Sequence, residues 1–155
     1  MESTRQSRAQ AARKGAAAAP VPEPEWELRD TAVEYVLDQV RSGLPASAVT
    51  RVHTTLGLKQ AEFLRLAGIK PRTLMRRRSG DERRLTAAES APVMRYALLF
   101  RRATEVLGSA VQASVWLKAP RPALGGCTPL EYASTEFGAR AVDELLGRLQ
   151  QGVFS

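Results

Sequence analysis

A chain of 155 residues with 44% apolar side chains is long enough for one core, or for two small domains sharing one. Its few aromatics, at 6%, and its many Ala and Leu residues favour helices over a sheet. Its formal charge is +7, and the excess is local: residues 51–105 carry net +8, against −2 for residues 26–50 and 0 for residues 106–155. A lone Cys127 and a lone His53 exclude an internal disulfide and a typical zinc site, and no apolar run reaches the roughly 18 residues of a membrane span.

These totals point to a protein without catalytic machinery, since no cluster of His, Cys and carboxylates forms a recognisable site. No cofactor is expected, and a single cysteine fits the reducing cytoplasm. The basic block suits phosphate binding, because each neutralised phosphate releases condensed counterions. It equally suits a solvated, arginine-rich surface, and composition leaves both open.

Residues 1–25 are poor in large apolar side chains and close on alternating prolines, so they read as a disordered basic arm. From Trp26 the pattern turns helical. In "TAVEYVLDQVRSGLP", Val33, Val36, Leu37 and Val40 recur on one helical face, with Asp30 or Thr31 able to cap the start. "ASAVTRVHTTLGL" repeats the plan with Val49, Val52 and Leu56. Gln60 to Ala67 reads as a helix with Ala61, Phe63 and Leu64 inward. Gly68 turns the chain, Ile69 plugs the turn, and Pro71 opens a second helix through Leu74 to Ser79.

Two short helices around a glycine turn, the second basic, follow the helix-turn-helix plan. Such a second helix buries one face and offers the other to a major groove. Leu74 is the expected inward anchor, with Arg72, Thr73 and Arg76 outward and Arg77 and Arg78 reaching phosphate or solvent. Thr86 and Glu89 then have capping-box spacing at the head of a long helix, where Pro92 is awkward. Arg95, Arg101 and Arg102 on that helix are expected in solvent. A further helix carries Val111, Val115, Trp116 and Leu117, stopped by Pro120 and Pro122, and Cys127 is expected to be at least half-buried.

The segment "LGGCTPLEYASTEFGARAVDELLGRLQQGVFS" is unusually specified. Thr128-Pro129-Leu130-Glu131 is a second capping box with proline in the first helical position. Ser134-Thr135 can re-cap the chain into a last helix striped by Ala141, Val142, Leu145, Leu146 and Leu149, with Phe137 sealing its start. Val153 and Phe154 follow it. Burying a Phe is worth about 1.5–3 kcal/mol, so these two either fray or enter a partner.

Trp116-Leu117, Pro120, Leu124-Gly125-Gly126, Thr128-Pro129-Leu130-Glu131, Thr135-Glu136, Gly138-Ala139, Val142, Leu145-Leu146-Gly147-Arg148-Leu149 and Gly152-Val153, at this spacing, resemble the toxin-binding domain of Xre/MbcA/ParS antitoxins. Upstream, "GLKQAEFLRLAGIKPRTLMRRR" resembles the Xre-type helix-turn-helix that precedes that domain, and together the two cover about residues 45–155. The resemblance implies an all-α fold: an Xre-like helix-turn-helix bundle over residues 26–105 and a C-terminal helical toxin-binding domain over residues 106–155.

It also implies a type II toxin–antitoxin system. The partner would be a RES-domain toxin that consumes NAD or transfers ADP-ribose, blocked by the antitoxin's C-terminal region at its active site. Operator DNA would be the second partner, bound to autoregulate the operon, and a homodimer would suit a palindromic site. Carried over by position, the DNA contacts are Gln60, Arg72, Thr73, Arg76 and Arg77. The toxin contacts are Leu145, Arg148, Leu149, Gly152, Val153 and Phe154. Lys59 departs from the family, which places a Ser or Thr cap there. The competing expectation is a solitary helix-turn-helix repressor whose C-terminal domain only dimerises.

Overall fold

The alternation of helical stripes with Gly and Pro stops yields eight α-helices among the described residues, which are 26–81 and 83–152 of a computed structural model. They are α1 (Val33–Ser42), α2 (Ser47–Leu56), α3 (Gln60–Ala67), α4 (Pro71–Ser79), α5 (Ala87–Leu107), α6 (Ala110–Lys118), α7 (Pro129–Tyr132) and α8 (Glu136–Gln150). A 3₁₀ turn, Pro122–Leu124, precedes α7. The arm expected at residues 1–25, and Val153 and Phe154, lie outside the described residues. The all-α class expected from composition is the one observed.

The long helix α5 is the common wall. It packs against α1, α2 and α3 on the helix-turn-helix side and against α6 and α8 on the other. Its start is a complete capping box: Thr86 Oγ1 accepts from the Glu89 amide at 3.2 Å, and Glu89 Oε2 accepts from the Thr86 amide at 2.9 Å. Pro92 is accommodated inside the unbroken helix. Val93, Met94, Tyr96, Ala97, Leu99 and Ala103 leave α5 buried, and one core runs from Leu44 and Val49 through them to Leu117, Val142 and Leu146. That core is continuous across residues 105 and 106, where the sequence reading divides the chain.

Several expectations need correcting, and on the helices the reason is that each buries only the stripe its neighbours touch. In α1, Val36 and Val40 pack half-buried on the core while Val33 and Leu37 are exposed, since only α5 covers this helix closely. In α3, Phe63, Leu64 and Ala67 take the inward positions and Ala61 faces out. In α6, Ala113, Trp116 and Leu117 are buried, which turns Val111 and Val115 to the surface. Cys127 is exposed beside the Gly125-Gly126 turn.

Candidate functional site

The chemistry-bearing residues gather at two surfaces, one on α3–α4 and one on α7–α8. At the first, α3 ends where Gly68 adopts φ +68°, a conformation that side-chain-bearing residues rarely take. The Ile69 amide then donates to the Leu64 carbonyl at 2.9 Å, and the Ile69 side chain is buried under the turn. Pro71 starts α4 and Leu74, fully buried, anchors it. Lys59 stands at the N-cap of α3 without a side-chain hydrogen bond, as its departure from a Ser or Thr cap implies.

What α4 turns outward is Arg72, Met75, Arg76 and Ser79, at helical spacing along one face. The side chains of Arg72 and Arg76 are exposed and have no hydrogen bond or ion pair to another described residue, and Thr73 is half-buried beside them. Met75, with 69% of its surface exposed, was not anticipated. It lies three residues after Arg72, a spacing that marks it in hindsight.

Arg77, expected on DNA, is also engaged within the fold. Its Nε and Nη2 donate to the two carboxylate oxygens of Glu89 at 3.0 and 2.9 Å, tying α4 to the head of α5. A planar guanidinium matched to a carboxylate in this way is held in place. Those hydrogen bonds, with the Thr86 amide, keep the Glu89 carboxyl below its ordinary range.

Gln60 sits at the first position of α3. Arg78 Nη2 donates both to its Oε1 at 3.1 Å and to Thr50 Oγ1 at 2.9 Å. An arginine has no acceptor, so the amide oxygen must face it. The amide nitrogen of Gln60 is thereby aimed away from Arg78 as a donor.

The second surface begins at Thr128, whose side chain and that of Glu131 complete a capping box at 3.1 Å in each direction. Thr135 Oγ1 accepts from the Gly138 amide at 3.0 Å and re-caps the chain into α8. Gly138 is buried where a Cβ would overlap the Tyr132 carbonyl, so the turn closes only around a residue without a side chain.

Two residues of α5 brace this turn, and neither was anticipated in the role. Arg95, expected in solvent, donates from Nε to the Ala133 carbonyl at 3.0 Å, from Nη2 to Ser134 at 3.0 Å and from Nη1 to Glu136 at 3.1 Å. Tyr96, fully buried, donates its hydroxyl to the Leu130 carbonyl at 2.9 Å and lays its ring edge-to-face on Phe63 of α3. Only the proximity of α5 to α7, invisible in sequence, assigns these partners. Arg101 and Arg102, also expected in solvent, reach the Leu28 carbonyl and Asp143.

Along α8, Val142 and Leu146 are fully buried, while Leu145 and Leu149 are half-buried against the same core. Arg148 and Gly152 are exposed. Phe137 does not seal the start of the helix: 84% of it is exposed, because Gly138 takes the inward position.

Residues 36–92 match the model of the antitoxin Xre-like helix-turn-helix domain, and residues 102–152 match that of the antitoxin Xre/MbcA/ParS C-terminal toxin-binding domain. The Antitoxin Xre of Yersinia enterocolitica is 34% identical over 121 residues, 77% of this chain and 81% of that protein. The chain belongs to the Xre antitoxin family. A second Antitoxin Xre, from Photorhabdus laumondii, is 33% identical over 117 residues, covering 75% of this chain and 78% of that protein. The Prs ADP-ribosylating antitoxin of a Sphingobium species is more distant, at 24% identity over 125 residues, 75% of this chain and 78% of that protein.

The protein is thus an antitoxin of a toxin–antitoxin system that carries a helix-turn-helix domain. The two surfaces fall within the two matched regions of the antitoxin, α3–α4 in one and α7–α8 in the other, with α5 reaching into both. Among its described residues no helix is long and apolar enough to cross a membrane.

Proposed function

We propose that the antitoxin neutralises a RES-domain toxin that consumes NAD or ADP-ribosylates, by bringing its C-terminal region to the toxin's active site, and that it binds operator DNA through α4 to repress its own operon. It does this in the cytoplasm as a homodimer and without catalysing a reaction itself. The observation that carries the reading is the toxin-binding match over residues 102–152, which runs through Arg148 in the last turn of α8 to Gly152 just beyond it, both exposed. The Sphingobium relative, a Prs ADP-ribosylating antitoxin, supports ADP-ribose chemistry in the partner. For DNA, support comes from the exposed Arg72 and Arg76 and the donor face of Gln60 in a helix-turn-helix frame.

The contact set is Arg72, Thr73, Arg76, Arg77 and Gln60 on DNA, with Arg77 also holding Glu89. On the toxin it is the exposed flanks of Leu145 and Leu149, with Arg148, Gly152, Val153 and Phe154. The test removes Gly152–Ser155. In co-expression with the toxin the shortened antitoxin protects poorly, while its operator affinity in a gel-shift titration is unchanged. Full protection without those four residues would refute insertion of the C-terminal region and favour a repressor whose C-terminal half only dimerises.

A further inference from the structure

The α7–α8 turn is braced far beyond what chain reversal needs. Arg95 commits three of its donors to it, Tyr96 its hydroxyl, and Thr135 its side chain, and Gly138 admits the Tyr132 carbonyl into the helix start. Among the side chains displayed by this rigid turn are two aromatics. Tyr132 is 39% exposed and Phe137, five residues on, is 84% exposed.

A large aromatic held in water on a fixed backbone gains nothing from folding. It loses little conformational freedom when it is later buried, which is what an anchor residue at an interface requires. Phe137 also heads an outward stripe of α8. Glu144 and Arg148 follow it at helical spacing, with half-buried Ala141 between Phe137 and Glu144, on the side away from buried Val142 and Leu146.

We infer that Phe137 is a principal anchor for the cognate toxin, inserted into an apolar socket, with Tyr132 beside it. The partner class follows from position, because the whole stripe lies inside the matched toxin-binding domain. The inference rests on the functional reading only for the existence of a toxin partner. It adds a contact at the opposite end of α8 from the residues proposed above, and does not depend on the C-terminal region reaching an active site.

The experiment titrates purified cognate toxin with the full-length antitoxin and with Phe137→Ala, Phe137→Leu and Met75→Ala by calorimetry. Phe137→Ala should weaken binding at least about thirty-fold, the size of an anchor residue's loss, and Phe137→Leu should recover part of it. Met75→Ala, which removes another exposed apolar side chain but on α4, should bind as the parent does. Because Phe137 touches little of its own chain, the melting temperature should not move.

Parent-like toxin affinity in Phe137→Ala overturns the inference, as does an equal loss in Met75→Ala or a lowered melting temperature. A loss of self-association in Phe137→Ala, read by sedimentation, overturns it too, by assigning the face to a second copy. If removing Gly152–Ser155 leaves protection intact while Phe137→Ala abolishes it, insertion at the active site fails and the anchor stands. If the parent antitoxin binds no toxin, both fall together.

Discussion

Replacing Tyr96 with Phe tests the claim that α5 holds the toxin-side turn in place. The ring stays, so its edge-to-face contact with Phe63 and its packing are kept, and no cavity opens. What disappears is the hydroxyl that donates to the Leu130 carbonyl at 2.9 Å. A buried acceptor left without its donor costs about 1–3 kcal/mol, which corresponds to a fall in melting temperature of roughly 2–8 °C per kcal/mol.

The same residue gives a pH signature. Burial pushes the Tyr96 phenol up to about 12, against the opposing pull of the neighbouring Arg95 charge. The folded state therefore favours the neutral phenol more than the unfolded state does. Its contribution is whole below pH ~10 and is lost as pH rises from there towards the folded value, about 1.4 kcal/mol of it by pH ~11. Urea unfolding followed by circular dichroism at pH ~9 and ~11 reads both effects. The stability gap between parent and Tyr96→Phe should be present at the lower pH and shrink by about 1.4 kcal/mol at the higher. Equal stability at the lower pH, or a gap that does not change, would refute the assignment of that hydrogen bond as a brace.

Gly138→Ala drives a methyl group into the Tyr132 carbonyl. It should cost about 1–3 kcal/mol and weaken toxin binding with operator affinity unchanged; a parent-like melt would contradict the close approach. On the DNA side, Arg72→Ala and Arg76→Ala should each lose about 1–3 kcal/mol of operator affinity where they read bases, measured by gel shift at fixed salt. Arg78→Ala and Gln60→Ala should weaken operator binding less in combination than the sum of their separate effects, because Arg78 orients the Gln60 amide; strict additivity in the double-mutant cycle would remove that coupling. Finally, stability owed to Glu89 should be present above the ordinary carboxylate range and fade as pH falls through its depressed value, a dependence that Glu89→Gln lacks.

Much of the local structure was legible because its causes are local. The two capping boxes, Thr86 with Glu89 and Thr128 with Glu131, are written in residues three apart and both form as read. Gly68, Pro71 and Leu74 placed the turn and the second helix of the helix-turn-helix. The dense pattern from Trp116 to Val153 pointed to the family that the comparisons then showed. Arginine roles were the least legible. A guanidinium's task is set by which acceptor lies within reach, and Arg77, Arg95, Arg101 and Arg102 find theirs on other elements or one turn along their own.

The sequence by itself determined which stretches are helical, where they start and stop, and which family they belong to, because periodicity, caps and turn residues act within a few positions of the chain. Only the tertiary structure decided which apolar residues are buried and which are displayed. Phe137 and Leu145 carry the same apolar signal in sequence, yet one stands in water and the other packs half-buried on the core. The difference is made by Gly138, whose missing side chain lets the turn close and rotates Phe137 outward. It depends on a close approach between backbones that no residue type announces alone.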